Sequence, residues 1–501
     1  MPSTLVRVLF QNCQKLETVD LPKNLVDFQT SGAGMVSPYD FSNFQSVIFL
    51  KDLRLSSTTI NVQVLNFLPE LLEILIIDAC TFINQPKHLT FVDQGKDETE
   101  FSLGKQMRVL RITKSVKLFR DSFILSGWNL SGCRKIEEIC LSGDILFNPE
   151  AFTCHSGLKC LSVSLVPTYT SLNYISKCKH LDMLCLTSTG KQQKTFFDLL
   201  MLGPRILTLE AFCVESALTI NIEGAFPVSR IEHLTLVKCV GLKALNCKLM
   251  VCLRSLRIEK SVLPQDLSFI GSDHSSLQNL TLSKCEGLES LNGLNRSVKE
   301  LHIHGCFNLR DIDVILGKGF FELTNLTFIS NTNVREIKFS NAVNEFRLKQ
   351  VVLCNIRNLS RLSDFTICNQ LVDLNLKKCV SVCNLNFLSG CVRLRNLIID
   401  NCYQIFDLSP LEALENNLIS LSANWCRNIV DARPLLSCQK LRWISLRGLT
   451  SMLDFTCLVR MTCILDRLDL KYNYHIPEAQ FDILKDSNKF MKLLYLEEDQ
   501  M

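Results

Sequence analysis

Apolar residues recur along this chain at fixed offsets: a first one, others three and five residues later, and often a cysteine three residues beyond. "LTLSKCEGLESL" (280–291) and "LNLKKCVSVCNL" (374–385) show this core and the apolar residues that follow it at three-residue steps. Counted from the first apolar residue, the unit is apolar at positions 1, 4 and 6 and often has Cys at position 9. Copies begin at Leu5, Leu50, Leu72, Met107, Ile136, Leu158, Leu181, Ile206, Ile231, Leu253, Leu277, Val298, Leu323, Leu348, Leu371, Leu394, Leu418, Leu441, Leu465 and Met491. From Leu181 onward they lie 21–26 residues apart, a period that belongs to solenoids.

Positions 4 and 6 alternate like a short strand with both apolar side chains turned to one side. The chain then bends near position 9 and returns by another route. A single unit cannot bury its apolar face, but stacked units can. The expected fold is therefore an α/β solenoid of about 20 turns, curved, with a parallel β-sheet on its concave face. Loops or short helical turns are expected on the convex face. The repeats run through 1–501 as one domain, irregular over 1–157 with a polar insertion near 81–106, and regular over 158–501. One degenerate turn is expected between Leu5 and Leu50, around "NLVDFQTSG".

The pattern L-x-x-L-x-L-x-x-(N/C)-x-(L/I) resembles the leucine-rich repeat, from about Leu5 to the last residues. Cysteine at position 9 is similar to the cysteine-containing subclass familiar from ubiquitin-ligase substrate receptors. "IFDLSPLEAL" (405–414) and "IVDARPLLSC" (429–438) resemble the shorter repeats of internalins, phosphatase regulators and trypanosome leucine-rich-repeat proteins. The resemblance implies a horseshoe and a role in protein recognition. "LPKNLV" (21–26) is similar to the opening of an F-box, but the following "DFQTSGAGMVSPYDF" is too rich in Gly and Pro for that motif's helices.

Composition adds limits. Of 501 residues, 47% are hydrophobic and 21% charged, so a large core is available. A net charge of +4 is small for this length and argues against a dedicated nucleic-acid binder. No apolar run reaches the roughly 20 residues of a membrane span. "MPSTLVRVLFQNC" lacks a basic leader and a cleavage site, so a reducing compartment, cytoplasm or nucleus, is expected for the 24 cysteines. The chain opens almost inside a strand with no polar capping unit, so either Met1–Phe10 docks on a partner or a further module precedes it.

Eight cysteines occupy position 9: Cys13, Cys80, Cys239, Cys285, Cys306, Cys379, Cys402 and Cys426. Cys133, Cys178, Cys368, Cys391 and Cys438 fall three residues before the next unit. Both places suit a small, apolar, weakly hydrogen-bonding plug. Cys379, Cys402 and Cys426 form a line, which is the wrong shape for tetrahedral zinc, and no C-x-x-C occurs.

No phosphate-binding loop, H-E-x-x-H or G-x-S-x-G motif is present. No catalytic residue, cofactor or metal is expected. Candidate contacts lie at the variable positions. Glu300, His302 and His304 alternate on one strand and form a polar patch. Lys238, Lys260 and Lys284 share position 8 on successive copies and, with Arg257, would attract an acidic or phosphorylated segment. Trp425 at position 8 and Trp443 at position 3, with Arg442 and Arg447, are the residue types of interface hot spots. The expected function is a non-catalytic scaffold or adaptor that binds one or more proteins through its concave face. The alternative is a ubiquitin-ligase substrate receptor or a regulatory subunit of a phosphatase or other signalling enzyme.

Overall fold

The computed structural model describes residues 6–11, 21–31, 47–61, 68–83, 101–102, 104–117, 123–124, 128–129, 133–143, 145–147, 157–165, 178, 180–188, 204–211, 230–242, 250–270, 276–294, 297–310, 322–337, 347–486 and 494–495. Cys13, residues 84–100 of the polar insertion and residues 496–501 lie outside them. The chain divides into two compact units, Met1–Val240 and Gly241–Met501.

Each unit is a parallel β-solenoid whose rungs are short strands that start at or beside position 3 of the repeat. The exception is the copy read from Ile206, where Ile206–Glu210 pairs so that Leu207 and Leu209 fill positions 4 and 6, and the copy begins at Pro204. In the first unit Arg7–Gln11 pairs with Asp27–Ser31, which pairs with Asp52–Ser56 and onward to Ile74–Asp78 and Val109–Lys117. Glu138–Gly143, Cys160–Leu165, Met183–Ser188, Ile206–Glu210 and His233–Val237 continue the ladder. "NLVDFQTSG" therefore supplies a full rung. Leu21 and Leu25 are buried where the chain enters it, so "LPKNLV" leads into a strand and not a helix.

In the second unit the rungs run from Ser255–Glu259 through Asn279–Ser283, Glu300–His304, Asn325–Ile329 and Gln350–Cys354. They continue as Asp373–Asn375, Asn396–Ile398, Ser420–Ser422, Trp443–Ser445, Arg467–Asp469 and Leu494–Tyr495. Register is in step throughout, so like positions stack. Positions 1, 4 and 6 form the core: Leu394, Leu397 and Ile399, for example, are all fully buried.

The return path differs between the units. In the first, short strands form a second parallel ladder: Thr59–Asn61 pairs with Thr81–Ile83, which pairs with the end of Val109–Lys117. In the second, short 3-10 turns line the return at Ser363–Ile367, Asn386–Gly390, Ser409–Leu414, Arg433–Ser437 and Thr456–Arg460. Four of these five turns, all but Ser363–Ile367, are preceded by an Asx residue whose side chain accepts the backbone N–H two residues on, as Asp407 does from Ser409 at 2.8 Å.

Two backbone rules hold the turns together. On the described rungs of the second unit position 8 is left-handed: Lys260 (φ 47°), Asn355 (φ 56°) and Asn401 (φ 60°) are examples. The left-handed residue turns the chain while its N–H still donates to the position-7 carbonyl of the next rung, as Asn401 does to Asn424 at 2.8 Å. That bond offsets a conformational cost of about 1–2 kcal/mol for a non-glycine residue. At position 9 the thiol donates to the position-6 carbonyl of the rung before: Cys379 to Leu353 at 2.8 Å, Cys402 to Leu376 at 3.1 Å and Cys426 to Ile399 at 2.9 Å. The plug is thus also a hydrogen-bond donor. Asn331 and Asn473 at the same position do more. Asn473 donates to Leu446 O at 2.8 Å and accepts from Leu449 N at 2.7 Å.

Candidate functional site

In the second unit, positions 3, 5 and 7 of the last rungs place polar side chains side by side on the strand face, and these bond from rung to rung. Asn396 donates to Asp373 at 2.5 Å, and Ser422 to Asp400 at 2.7 Å. Asp400 also accepts the Asn424 N–H at 2.9 Å. Asn424 in turn accepts from Ser445 Oγ at 2.7 Å and from the Arg447 N–H at 2.9 Å. The chain of bonds fixes the side chains of this strip before any partner arrives, which lowers the ordering cost of binding.

The strip ends in a charged cluster. Asp469 is fully buried and accepts charge-assisted bonds from Arg447 and, at 3.3 Å, from Arg467. Burial pushes the Asp469 carboxyl up, but the Arg447 guanidinium, the Lys471 backbone N–H and the Arg467 guanidinium together outweigh it and hold it below its usual range. The same bond to Asp469 raises the Arg447 guanidinium. Arg467 has a second contact, its guanidinium lying 5.8 Å from the centroid of the Trp443 ring. Trp443 remains 52% exposed, a large aromatic surface held by a cation that is itself anchored to a buried carboxylate.

Trp425 faces elsewhere. Its ring passes over Gly448, the position-8 residue of the next rung, where an added Cβ would lie 2.3 Å from the ring. It stacks on Tyr472 at position 8 of the rung beyond, centroids 5.4 Å apart at 30°, and Tyr472 meets Tyr474 edge-on at 6.2 Å. Trp425 and Trp443 therefore belong to different surfaces of the repeat, the rim and the strand face. Arg442 is also separate: its guanidinium donates to Ile464 O at 3.2 Å. Arg447 lies on the strip but is spent on Asp469. Arg467, Asp469 and Tyr472 were not singled out from sequence. Their signal was present, as the position-3, position-5 and position-8 residues of the copy beginning at Leu465.

The basic candidates divide similarly. Lys238, in the first unit, is held by Glu210 at 2.8 Å. Other cations of that unit are matched too, Arg7 by Asp27 and Arg205 by Glu232, leaving little unbalanced charge at these positions. In the second unit Arg257 is engaged by Glu259 on its own strand. Lys260 and Lys284 sit on paired rungs and are exposed. His302 approaches Glu300 at 3.9 Å. His304 lines a cavity of about 700 Å³ with Lys284, Gly305 and Phe307. Burial, then His302 and Arg257, push the His304 imidazole below its ordinary value. Among the described residues no three His, Cys, Asp or Glu side chains are grouped to hold a metal ion.

The cysteines are free thiols among the described residues. Burial pushes Cys379 and Cys426 up to about 12. Cys402 is pushed up as well, by burial and then by its neighbours in the line. Cys306 is raised by its contact with Cys285 and by burial. A thiol that resists ionisation is a poor nucleophile and a poor metal ligand.

No protein-family model matches this chain, and no curated protein matches its sequence significantly. Solved structures do. An internalin from Listeria monocytogenes is 19% identical over 54% of this chain and 76% of its own, with a TM-score of 0.42. A leucine-rich-repeat protein from Leptospira interrogans is 13% identical over 94% and 90%, with a TM-score of 0.38. The mouse RP105/MD-1 complex gives 15% identity over 97% and 89%, with a TM-score of 0.47.

Proposed function

We propose that this leucine-rich-repeat solenoid is a non-catalytic protein-binding module, and that the strand face of its last rungs carries the main contact. The supporting observation is Trp443, half exposed beneath Arg467, which is itself anchored to the buried Asp469. An aromatic ring and a guanidinium held rigidly on a strand face are the groups that dominate binding energy in protein interfaces. The polar ladder from Asp373 to Asn424 supplies a pre-ordered surround of hydrogen-bonding groups. Nothing in this strip resembles a nucleophile with its base. Its buried carboxylate, Asp469, is paired with two arginines, so the reading is recognition without chemistry.

The test is affinity purification of the chain from its native cell beside a Trp443→Ala, Arg467→Ala double variant. The expected result is a companion held in near-stoichiometric amount by the natural chain and reduced at least about tenfold with the variant, as for loss of an interface hot spot. An unchanged set of companions, with folding intact by circular dichroism, overturns the assignment. The companion's identity also separates the finer readings: a ligase adaptor supports a substrate receptor, and a phosphatase subunit supports a regulator.

A further inference from the structure

In the second unit, position 8 carries a side chain on every described rung except two, at Gly305 and Gly448. A position-8 side chain overhangs the rung that follows. At Gly448 the overhanging group is the Trp425 ring, which fills the place of the missing side chain. At Gly305 it is Lys284, whose Cγ passes 3.6 Å from where a Cβ would stand, and a slender stem does not fill the gap. What remains is the cavity of about 700 Å³ between Lys284 and Ser330, with Gly305 in its lining. That volume lies within the range of small-ligand sites, about 300–1,000 Å³.

The lining is selective. Lys284 brings an ammonium group that has no ion-pair partner among the described residues. Ser330 accepts the Asn355 amide at 3.0 Å, so its own hydroxyl proton is left to donate inward. Asn308 adds an amide. His304 contributes an imidazole whose Nε2 is screened from solvent and lacks a hydrogen-bond partner among the described residues. Phe307, 56% exposed, offers a flat apolar wall. Glu286 stands on the same lining and repels a bare polyanion, so a ligand must bring its charge as one group on the Lys284 side.

We propose that the Gly305 notch binds a single oxyanion carried on an aromatic ring, the oxyanion bonding Lys284 and Ser330 while the ring lies against Phe307. An aryl phosphate, an aryl sulfate and an aryl carboxylate share this chemistry, and each can be presented by a protein or by a small molecule. The site is distinct from the Trp443 strip, and its failure would leave that strip's assignment standing.

The experiment is isothermal titration of the full chain at pH 7.5 with phenyl phosphate, phenyl sulfate and benzoate, with phenol and inorganic phosphate as controls. At least one aryl oxyanion is expected to bind once per chain with submillimolar affinity, tighter than both controls, and the rank among the three names the oxyanion. Lys284→Met should weaken that ligand at least about tenfold, the scale of a lost charge-assisted hydrogen bond. Gly305→Trp should abolish binding by filling the notch, since Trp425 already occupies a position 8 with φ 62°. Circular dichroism melts establish that each variant folds, and Lys284→Met stands by itself where Gly305→Trp does not. No saturation by any of the three, binding equal to that of inorganic phosphate, or undiminished binding by Lys284→Met overturns the proposal.

Discussion

At the scale of single residues, the bonds made at position 9 explain why both cysteine and asparagine serve there. Both reach the carbonyl of the preceding rung, but only the amide also accepts the incoming N–H. Cys306 N uses the Asn331 side chain in this way, at 2.9 Å. Removing such an amide strands buried backbone groups. Asn473→Ala is expected to lower unfolding stability by about 2–3 kcal/mol, since three buried backbone groups, Leu446 O, Leu470 O and Leu449 N–H, lose their side-chain partner; urea unfolding measures it. Asn473→Cys should recover part of that loss by restoring the single donor. The thiols themselves are expected to be inert. Site-resolved mass spectrometry after brief alkylation at pH 8 should show Cys383, which is exposed, modified well before Cys379, Cys402 and Cys426. Reading those cysteines as plugs needed only their spacing. Their role as donors needed the register between rungs, which spacing alone does not contain.

At the scale of elements, the strands were legible because positions 4 and 6 repeat without exception through the second unit. The return path was less so. Thr59–Asn61 and Thr81–Ile83 each carry a Thr and an Ile and pair as strands, whereas most of the later returns carry 3-10 turns preceded by an Asx bond. Both satisfy the same three-residue apolar step, so the pattern does not choose between them. The helix Glu478–Lys485 escaped notice because it replaces one of these returns and is only eight residues long. Aromatic packing on the rim was hidden for another reason. Trp425, Gly448 and Tyr472 are more than 20 residues apart in sequence and meet because position 8 is left-handed on all three of their turns. Gly448→Ala places a methyl group in the Trp425 ring, in addition to a left-handed backbone. The expected cost is about 1–3 kcal/mol, accompanied by a changed tryptophan fluorescence spectrum. Trp425→Ala in the same chain should relieve most of it, a coupling that a double-mutant cycle measures.

At the scale of the whole molecule, pH response and recognition both lead to the Asp469 cluster. The folded-state pKa of Asp469 is depressed below its unfolded value, about 3.9. Its contribution is therefore complete above that unfolded value and is lost as pH falls through the folded one. Thermal stability should vary little on this account between pH 7 and 5 and decline below about pH 4. Asp469→Asn should flatten that acid limb and lower stability at pH 7 by about 2 kcal/mol. This is less than a fully buried pair would lose, because Arg447 and Arg467 each keep about a third of their side chains in solvent.

Of the proposed contact surface, Trp443 was legible as an aromatic at a variable position. Its partnership with Arg467 was not, since it depends on which rungs are neighbours and which side chains already have counter-ions. Lys238 occupies the same position as Lys284 and Arg257 lies close by in sequence, but Glu210 and Glu259 have already claimed them.

The central claim is that the strand face at Trp443 meets another protein. Site-specific photo-crosslinking tests it most directly, with a photoreactive side chain placed at Trp443 in one preparation and, as control, at Leu453 in another. Leu453 is 72% exposed but lies beyond the position-9 bend of the same repeat. In the native cell the expected result is one discrete adduct with a second protein from position 443, absent from position 453. No adduct from 443, or the same adducts from both positions, would contradict it.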